Sequence, residues 1–127
     1  MRIVGHGIDL VSIARIAQLL GDHHERFLDR CFTAGERSYQ QQGRRYHEHL
    51  AARFAAKEAA MKALGTGLAD GITWTEIEVV KLDSGAPELR ITGRAAEIAL
   101  ARGIDAWQLS LTHTDDLAMA SVLACGR

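Results

Sequence analysis

Apolar residues along residues 2–9 (RIVGHGID) are set around Gly5 and Gly7, which predicts a short strand. Two glycines weaken a strand unless something must approach the backbone closely. Ser12 then caps a helix reaching about Leu20, with Ile13, Ile16 and Leu20 on one face. A second, short helix is expected over residues 25–31. Thr33 and Glu36 form a T-x-x-E capping box, so a further helix starts there and runs towards Gln42, where Gly43 breaks it. The longest helix is expected over residues 46–64. Its apolar stripe is Leu50, Phe54, Met61 and Leu64, alanines crowd the neighbouring face, and Gly65 ends it.

The second half changes period. Residues 74–82 (WTEIEVVKL) alternate as a strand, residues 83–87 (DSGAP) carry turn chemistry, and residues 88–91 read as the returning strand. A helix over residues 94–102 closes near Gly103. A last hairpin joins residues 107–112 and 117–123 across residues 113–116. This pattern predicts one α+β domain spanning residues 1–127, with mostly antiparallel strands packed with one long and several short helices.

Composition narrows the class. A chain of 127 residues suits one modest core. No apolar run approaches the roughly 18–20 residues of a membrane span. The start of the chain, with Arg2, His6 and Asp9, does not read as a signal peptide. Cys31 and Cys125 form no CxxC pair, which argues against a disulfide scaffold or zinc knuckle and makes the cytoplasm the expected compartment. A net charge of −1 and only seven aromatics argue against nucleic acid as a partner. The charge is unevenly spread. Residues 1–62 hold ten Lys/Arg against seven Asp/Glu, and residues 63–127 hold five against nine. The basic excess could steer an acidic partner or simply be a solvated surface.

Few residues offer chemistry. Glu58 and Lys62 are four apart on the long helix and share a face, beside Ala51, Ala55, Ala59 and Gly65. An exposed Glu–Lys pair of this kind is worth about 0.3–0.5 kcal/mol and is common. The small residues around it leave room for a ligand or a close-packed neighbour. Asp9 ends a strand just before a helix, so it either caps that helix or converges with Glu58 on one hard cation. Mg²⁺ takes one or two carboxylates and keeps its other positions for water or phosphate oxygens. A lysine beside such a pair suits phosphate chemistry. His113 follows an apolar strand, where packing roles outnumber catalytic ones. His47-Glu48-His49 is not HExxH, and histidines two apart on a helix point different ways.

Five segments in order carry a resemblance. They are GHGIDLV (5–11), RFAAKEAAMKALGTG (53–67), WTEIEV (74–79), GAP (85–87) and SLTH (110–113). Together they resemble the holo-(acyl carrier protein) synthases, the small bacterial phosphopantetheinyl transferases. The resemblance implies transfer of the 4′-phosphopantetheine arm of coenzyme A to a serine of an apo acyl carrier protein, leaving adenosine 3′,5′-bisphosphate. It implies Mg²⁺ ligation by Asp9 and Glu58, and catalysis by Glu58 and Lys62, with Lys62 on phosphate. It puts Ser110, Thr112 and His113 beside the nucleotide of coenzyme A, with Arg53 and Gly65 as secondary candidates for the same pocket. A Mg²⁺-bound water, Glu58, Lys62 and Glu36 are alternative bases. The family resemblance also implies a homotrimer with its sites at subunit boundaries, which would give the alanine-rich helix side a purpose. It implies an acyl carrier protein docked on the first helix through Arg15, helped by Arg26 and Arg30. His6 stands where these proteins usually have an aliphatic residue, and its ring is expected to point away from Asp9. The other readings are a different Mg²⁺-dependent phosphoryl enzyme, such as a nuclease, and a non-catalytic module that binds coenzyme A or a carrier protein.

Overall fold

The computed structural model describes residues 1–38 and 43–127. Its main sheet has three antiparallel strands in the order β1–β5–β4, with β1 Arg2–Ser12, β4 Ala106–His113 and β5 Leu117–Gly126. A separate hairpin pairs β2 Ile77–Lys81 with β3 Pro87–Ile91. The long helix α3, Gly43–Leu64, lies across the main sheet.

Close approach explains the glycines of β1. Ala51, Ala55, Ala56, Ala59, Ala60 and Ala63 of α3 are buried, as are Ala118, Ala120, Val122 and Ala124 of β5. Small residues on both sides let helix and strand backbones come together. A Cβ on Gly5 would strike the Ala63 carbonyl, and one on Gly7 the Ala59 carbonyl. The alanine face is therefore consumed inside one subunit. The close-packed neighbour expected for that face is a strand of the same subunit.

Other elements differ from the pattern in definable ways. The two short helices after Ser12 form one element, α1 Ile13–Cys31, kinked where His23 leaves helical geometry (φ −138°, ψ 41°). Ser12 caps α1 by accepting the Arg15 N–H at 3.2 Å, so Asp9 is not the cap; it lies within β1. The Thr33–Glu36 box forms as expected and opens α2, Ala34–Arg37. The expected continuation to Gln42 falls on residues 39–42, outside the described residues. The strand expected from Trp74 begins instead with a 3₁₀ turn, Trp74–Glu76, because the Thr73 N–H bonds Glu76 Oε1 at 2.8 Å. Trp74 stacks on Phe54 of α3, with ring centroids 4.8 Å apart. Helix α4, Gly93–Ala101, joins the hairpin to β4. Among the described residues, no helix is long and apolar enough to cross a membrane.

The main sheet has two unlike faces. One packs on α3. The other leaves Ile8 at 52% and Leu10 at 60% exposure. His6, Leu123 and Gln108 form one cross-strand row on that outer face, and Ile8, Ser121 and Ser110 the next. The His6 ring pairs with Ser121 Oγ at 3.3 Å, on the face opposite α3 and away from Asp9, as expected.

Candidate functional site

Helical spacing and strand alternation bring three of the expected residues together. Asp9 projects from β1 towards α3, where Glu58 and Lys62 stand one turn apart. Lys62 Nζ donates to Asp9 Oδ1 at 3.1 Å and to the Ile8 carbonyl at 2.9 Å. Glu58 is partly buried. Its carboxyl is pushed above the usual carboxylate range by that burial and then by the charge of Asp9, with Lys62 opposing. The Asp9 charge thus adds to the cost of ionising Glu58, and the Lys62 ammonium stands beside them. Gly65 follows at the helix end in the left-handed region (φ 85°). Arg102 donates to the neighbouring Leu64 carbonyl there.

Arg53, Ser110, Thr112 and His113 lie together elsewhere, in a groove of about 1180 Å³ between α3, β4 and the β2–β3 hairpin. Within one subunit Gly65 does not line this groove and stands apart from Arg53. Twelve residues of helix separate the two, roughly 18 Å. The groove's basic side chains include Arg45, Arg53 and Lys81. Its carboxylates are already engaged. Glu48 Oε2 meets His113 Nε2 at 2.9 Å, Glu78 accepts from Thr33 Oγ1 at 2.6 Å, and Glu36 meets Lys57 Nζ at 2.7 Å. Lys57 neutralises Glu36, and the groove's cations offer partners to an anionic ligand.

Sequence reasoning treated Glu36 as a possible base, and the structure removes it. Glu36 is 2% exposed, and it accepts the Thr33 N–H at 3.0 Å, the Val79 N–H at 2.9 Å and the Lys57 ammonium. A carboxylate so enclosed cannot reach a substrate proton. His49, Glu48 and the hairpin wall were missed. His49 Nε2 donates to the Glu36 carbonyl at 2.9 Å, and burial, followed by the charge of Arg53, lowers its pKa to about 4. The two-residue spacing from His47 was a usable signal, since His47 indeed faces a different hollow beside the start of α1. Nothing local in the sequence placed the hairpin against α3.

The α+β domain thus carries two carboxylates and an ammonium at one sheet edge and a groove with basic side chains at the other. Comparison with known proteins gives the family. The chain belongs to the 4′-phosphopantetheinyl transferase superfamily, whose model matches residues 5–121. It is 46% identical to a holo-[acyl-carrier-protein] synthase of Koribacter versatilis over 121 residues, covering 95% of this chain and 97% of that one. Among solved structures it is similar to a holo-(acyl-carrier-protein) synthase of Bacillus anthracis in complex with CoA (3′,5′-ADP). That likeness has TM-score 0.83 and 33% identity, with both chains fully covered. The synthase of Neisseria meningitidis gives TM-score 0.86 and 34% identity, covering 96% of this chain and 98% of that one. The reaction of this chain is transfer of the 4′-phosphopantetheine group from coenzyme A to a serine of an apo acyl carrier protein, releasing adenosine 3′,5′-bisphosphate.

Proposed function

We propose that this transfer depends on Mg²⁺ held by Asp9 and Glu58, that Lys62 and Glu58 act on the reacting groups, and that the Arg53–His113 groove takes the nucleotide end of coenzyme A. The observation that carries the proposal is the convergence of Asp9 with Glu58 and Lys62, in which the Asp9 charge works against ionising Glu58 in a way a shared cation would relieve. Among the described residues no group of three or more His, Cys, Asp or Glu could hold a metal. Two carboxylates with open positions fit a hard cation that shares its shell with phosphate, and fit a softer metal badly. The ion would neutralise the pyrophosphate.

The chain's own residues do the rest. The carrier's serine oxygen bonds to the β-phosphorus as the bond to the leaving adenosine 3′,5′-bisphosphate oxygen breaks. Lys62 is half exposed and swings from Asp9 onto phosphate oxygens, where its charge opposes what develops in transfer. Glu58 stands beside the reacting groups as an acceptor for the serine proton. Arg53 and His113 hold the distal phosphate and nucleotide, and Ser110 and Thr112 offer hydroxyls on the exposed side of β4.

A homotrimer is part of the proposal. The carboxylates sit at the β1 edge of the main sheet and the groove at the β4 edge, with β5 between. The exposed Ile8 and Leu10 on the outer face of the sheet support self-association, which would set one copy's groove beside another's carboxylates. Carrier docking on α1 is supported by its charges. Glu25 and Asp29 are drawn to Arg37 at 3.5 and 2.6 Å, while Arg15, Arg26 and Arg30 make no ion pair among the described residues. Both cysteines are free thiols, in keeping with a cytoplasmic setting.

Intact mass of an apo acyl carrier protein incubated with the chain and coenzyme A tests the metal. A gain of one phosphopantetheine with Mg²⁺, lost with EDTA, is expected; a gain that survives EDTA overturns the metal dependence. Mixing Asp9→Ala with Arg53→Ala protein tests the shared site. A fraction of turnover with the KM for coenzyme A of the unmodified chain is expected in the mixture, and a KM that stays at the Arg53→Ala value would place the whole site in one subunit.

A further inference from the structure

The established reaction leaves one costly feature of the molecule unused. Lys57 is completely buried and Glu36 nearly so, yet both carry full hydrogen-bonding complements. The Lys57 ammonium donates to Glu36 Oε1 at 2.7 Å, to the Ile77 carbonyl at 2.6 Å and to the Trp74 carbonyl at 3.2 Å. All three of its protons are therefore placed. It also lies over the Phe32 ring, 5.7 Å from the centroid. Burial lowers the Lys57 pKa while Glu36 opposes that fall.

A buried ion pair of this kind is poor value as a stabiliser. Desolvation offsets the attraction, and apolar residues of like volume commonly serve stability as well or better. What the pair does supply is direction. The β2–β3 hairpin shares no hydrogen-bonded edge with the main sheet. Its free edge is met by Glu36 through the Val79 N–H and by Lys57 through the Ile77 carbonyl. Thr33 extends the joint to Glu78. Gly35, Glu36, Glu78, Val79 and Lys81 from this side form one wall of the groove, and His49 and Arg53 of α3 form the facing wall.

We propose that Lys57 and Glu36 are positioning residues for the transfer reaction: their buried pair locks the hairpin wall against α3 and thereby sets the fit of the groove to the nucleotide end of coenzyme A. The proposal rests on the groove assignment above. Because Lys57 directly precedes Glu58, the same anchor fixes the rotation of α3 about its axis. Adjacent helical residues diverge by about 100°, so Glu58 is aimed at Asp9 while Lys57 is aimed into the core.

Lys57→Met, Glu36→Gln and the double variant separate positioning from stability. Each is read by melting temperature and by KM for coenzyme A, KM for the carrier and kcat in the mass assay. The single variants leave a buried group unpaired, so both melting temperature and coenzyme A binding should suffer. The double variant removes both charges, and its melting temperature should return towards that of the unmodified chain. Its KM for coenzyme A should nevertheless stay raised about tenfold, with KM for the carrier unchanged. A KM for coenzyme A that recovers in step with melting temperature overturns the proposal, as does an equal rise in both KM values. If Lys57→Met does not accumulate as folded protein, Glu36→Gln beside the double variant gives the same comparison. Arg53→Ala distinguishes the two readings. If it raises KM for coenzyme A and the double variant does not, the positioning role alone fails. If it leaves that KM unchanged, the groove assignment fails and takes the positioning role with it.

Discussion

The two edges of the main sheet carry different kinds of construction. At the β1 edge, Asp9, Glu58 and Lys62 are held by close packing, where two strand glycines lie directly against helix carbonyls. Their relative positions follow from one helical turn and one strand register, so there is little to misplace. At the β4 edge, the groove draws walls from α2, α3, β4 and the separate hairpin, joined partly through a buried polar network. On the assignment proposed above, close packing would hold the groups that meet the reacting phosphorus in place, whereas a jointed groove would fit a large nucleotide. That assignment puts chemistry and recognition on the two structures suited to each.

That comparison can be broken at either edge. The largest effect is expected at Glu58. Glu58→Ala should lower transfer by about 10³-fold or more while the melting temperature holds, because the carboxylate serves charge and not core. Substantial activity in a folded Glu58→Ala protein would remove it from the site. Next is Gly7→Ala, whose added methyl meets the Ala59 carbonyl and must part β1 from α3. A loss of about 1–3 kcal/mol in denaturant unfolding is expected, with activity falling because Asp9 moves with its strand. An unchanged unfolding midpoint would mean that the contact is looser than the geometry indicates. Arg53→Ala should be milder and selective, raising KM for coenzyme A about tenfold with kcat nearly kept. A fall in kcat alone would put Arg53 with the reacting groups.

The smallest effect sharpens the contrast, because the edges respond to acid with opposite sign. His49 at the groove has a folded-state pKa of about 4 against an ordinary 6.5. The unfolded chain takes up that proton first as pH falls. Stability from the neutral ring is therefore full above pH 6.5 and is lost between 6.5 and about 4, by roughly 2 kcal/mol after allowance for solvent screening. Glu58 is raised, so its folded form holds a proton more readily than the unfolded chain does. Its contribution favours folding below the ordinary carboxylate range and fades as pH rises through the raised value. Unfolding of His49→Gln protein should lack the loss between pH 6.5 and 4, and an unaltered pH profile would assign that loss to other groups. Mg²⁺ affinity should fall with acid as Glu58 protonates, which calorimetry at two pH values would read.

Much of the fold was written in local pattern. The Thr33–Glu36 box, the Ser12 cap, the Gly65 stop and the last hairpin all depend on residues within a few positions of each other, and all formed. The shared face of Glu58 and Lys62 was legible for the same reason. The Thr73–Glu76 box was not read, so a 3₁₀ turn was taken for strand. The kink at His23 also escaped notice, since the apolar pattern on either side suggested two helices where there is one bent one.

Sequence by itself therefore determined the elements, their caps and the family, because these rest on short-range periodicity and on motif order. Only the tertiary structure decided what lies across from what. It turned the alanine face inward onto Gly5 and Gly7, and it enclosed Glu36 by pairing it with Lys57. Each of these is a contact between residues more than ten positions apart. Such contacts are selected by close packing and by the cost of leaving a buried polar group unpaired, and neither is encoded in the spacing of neighbours.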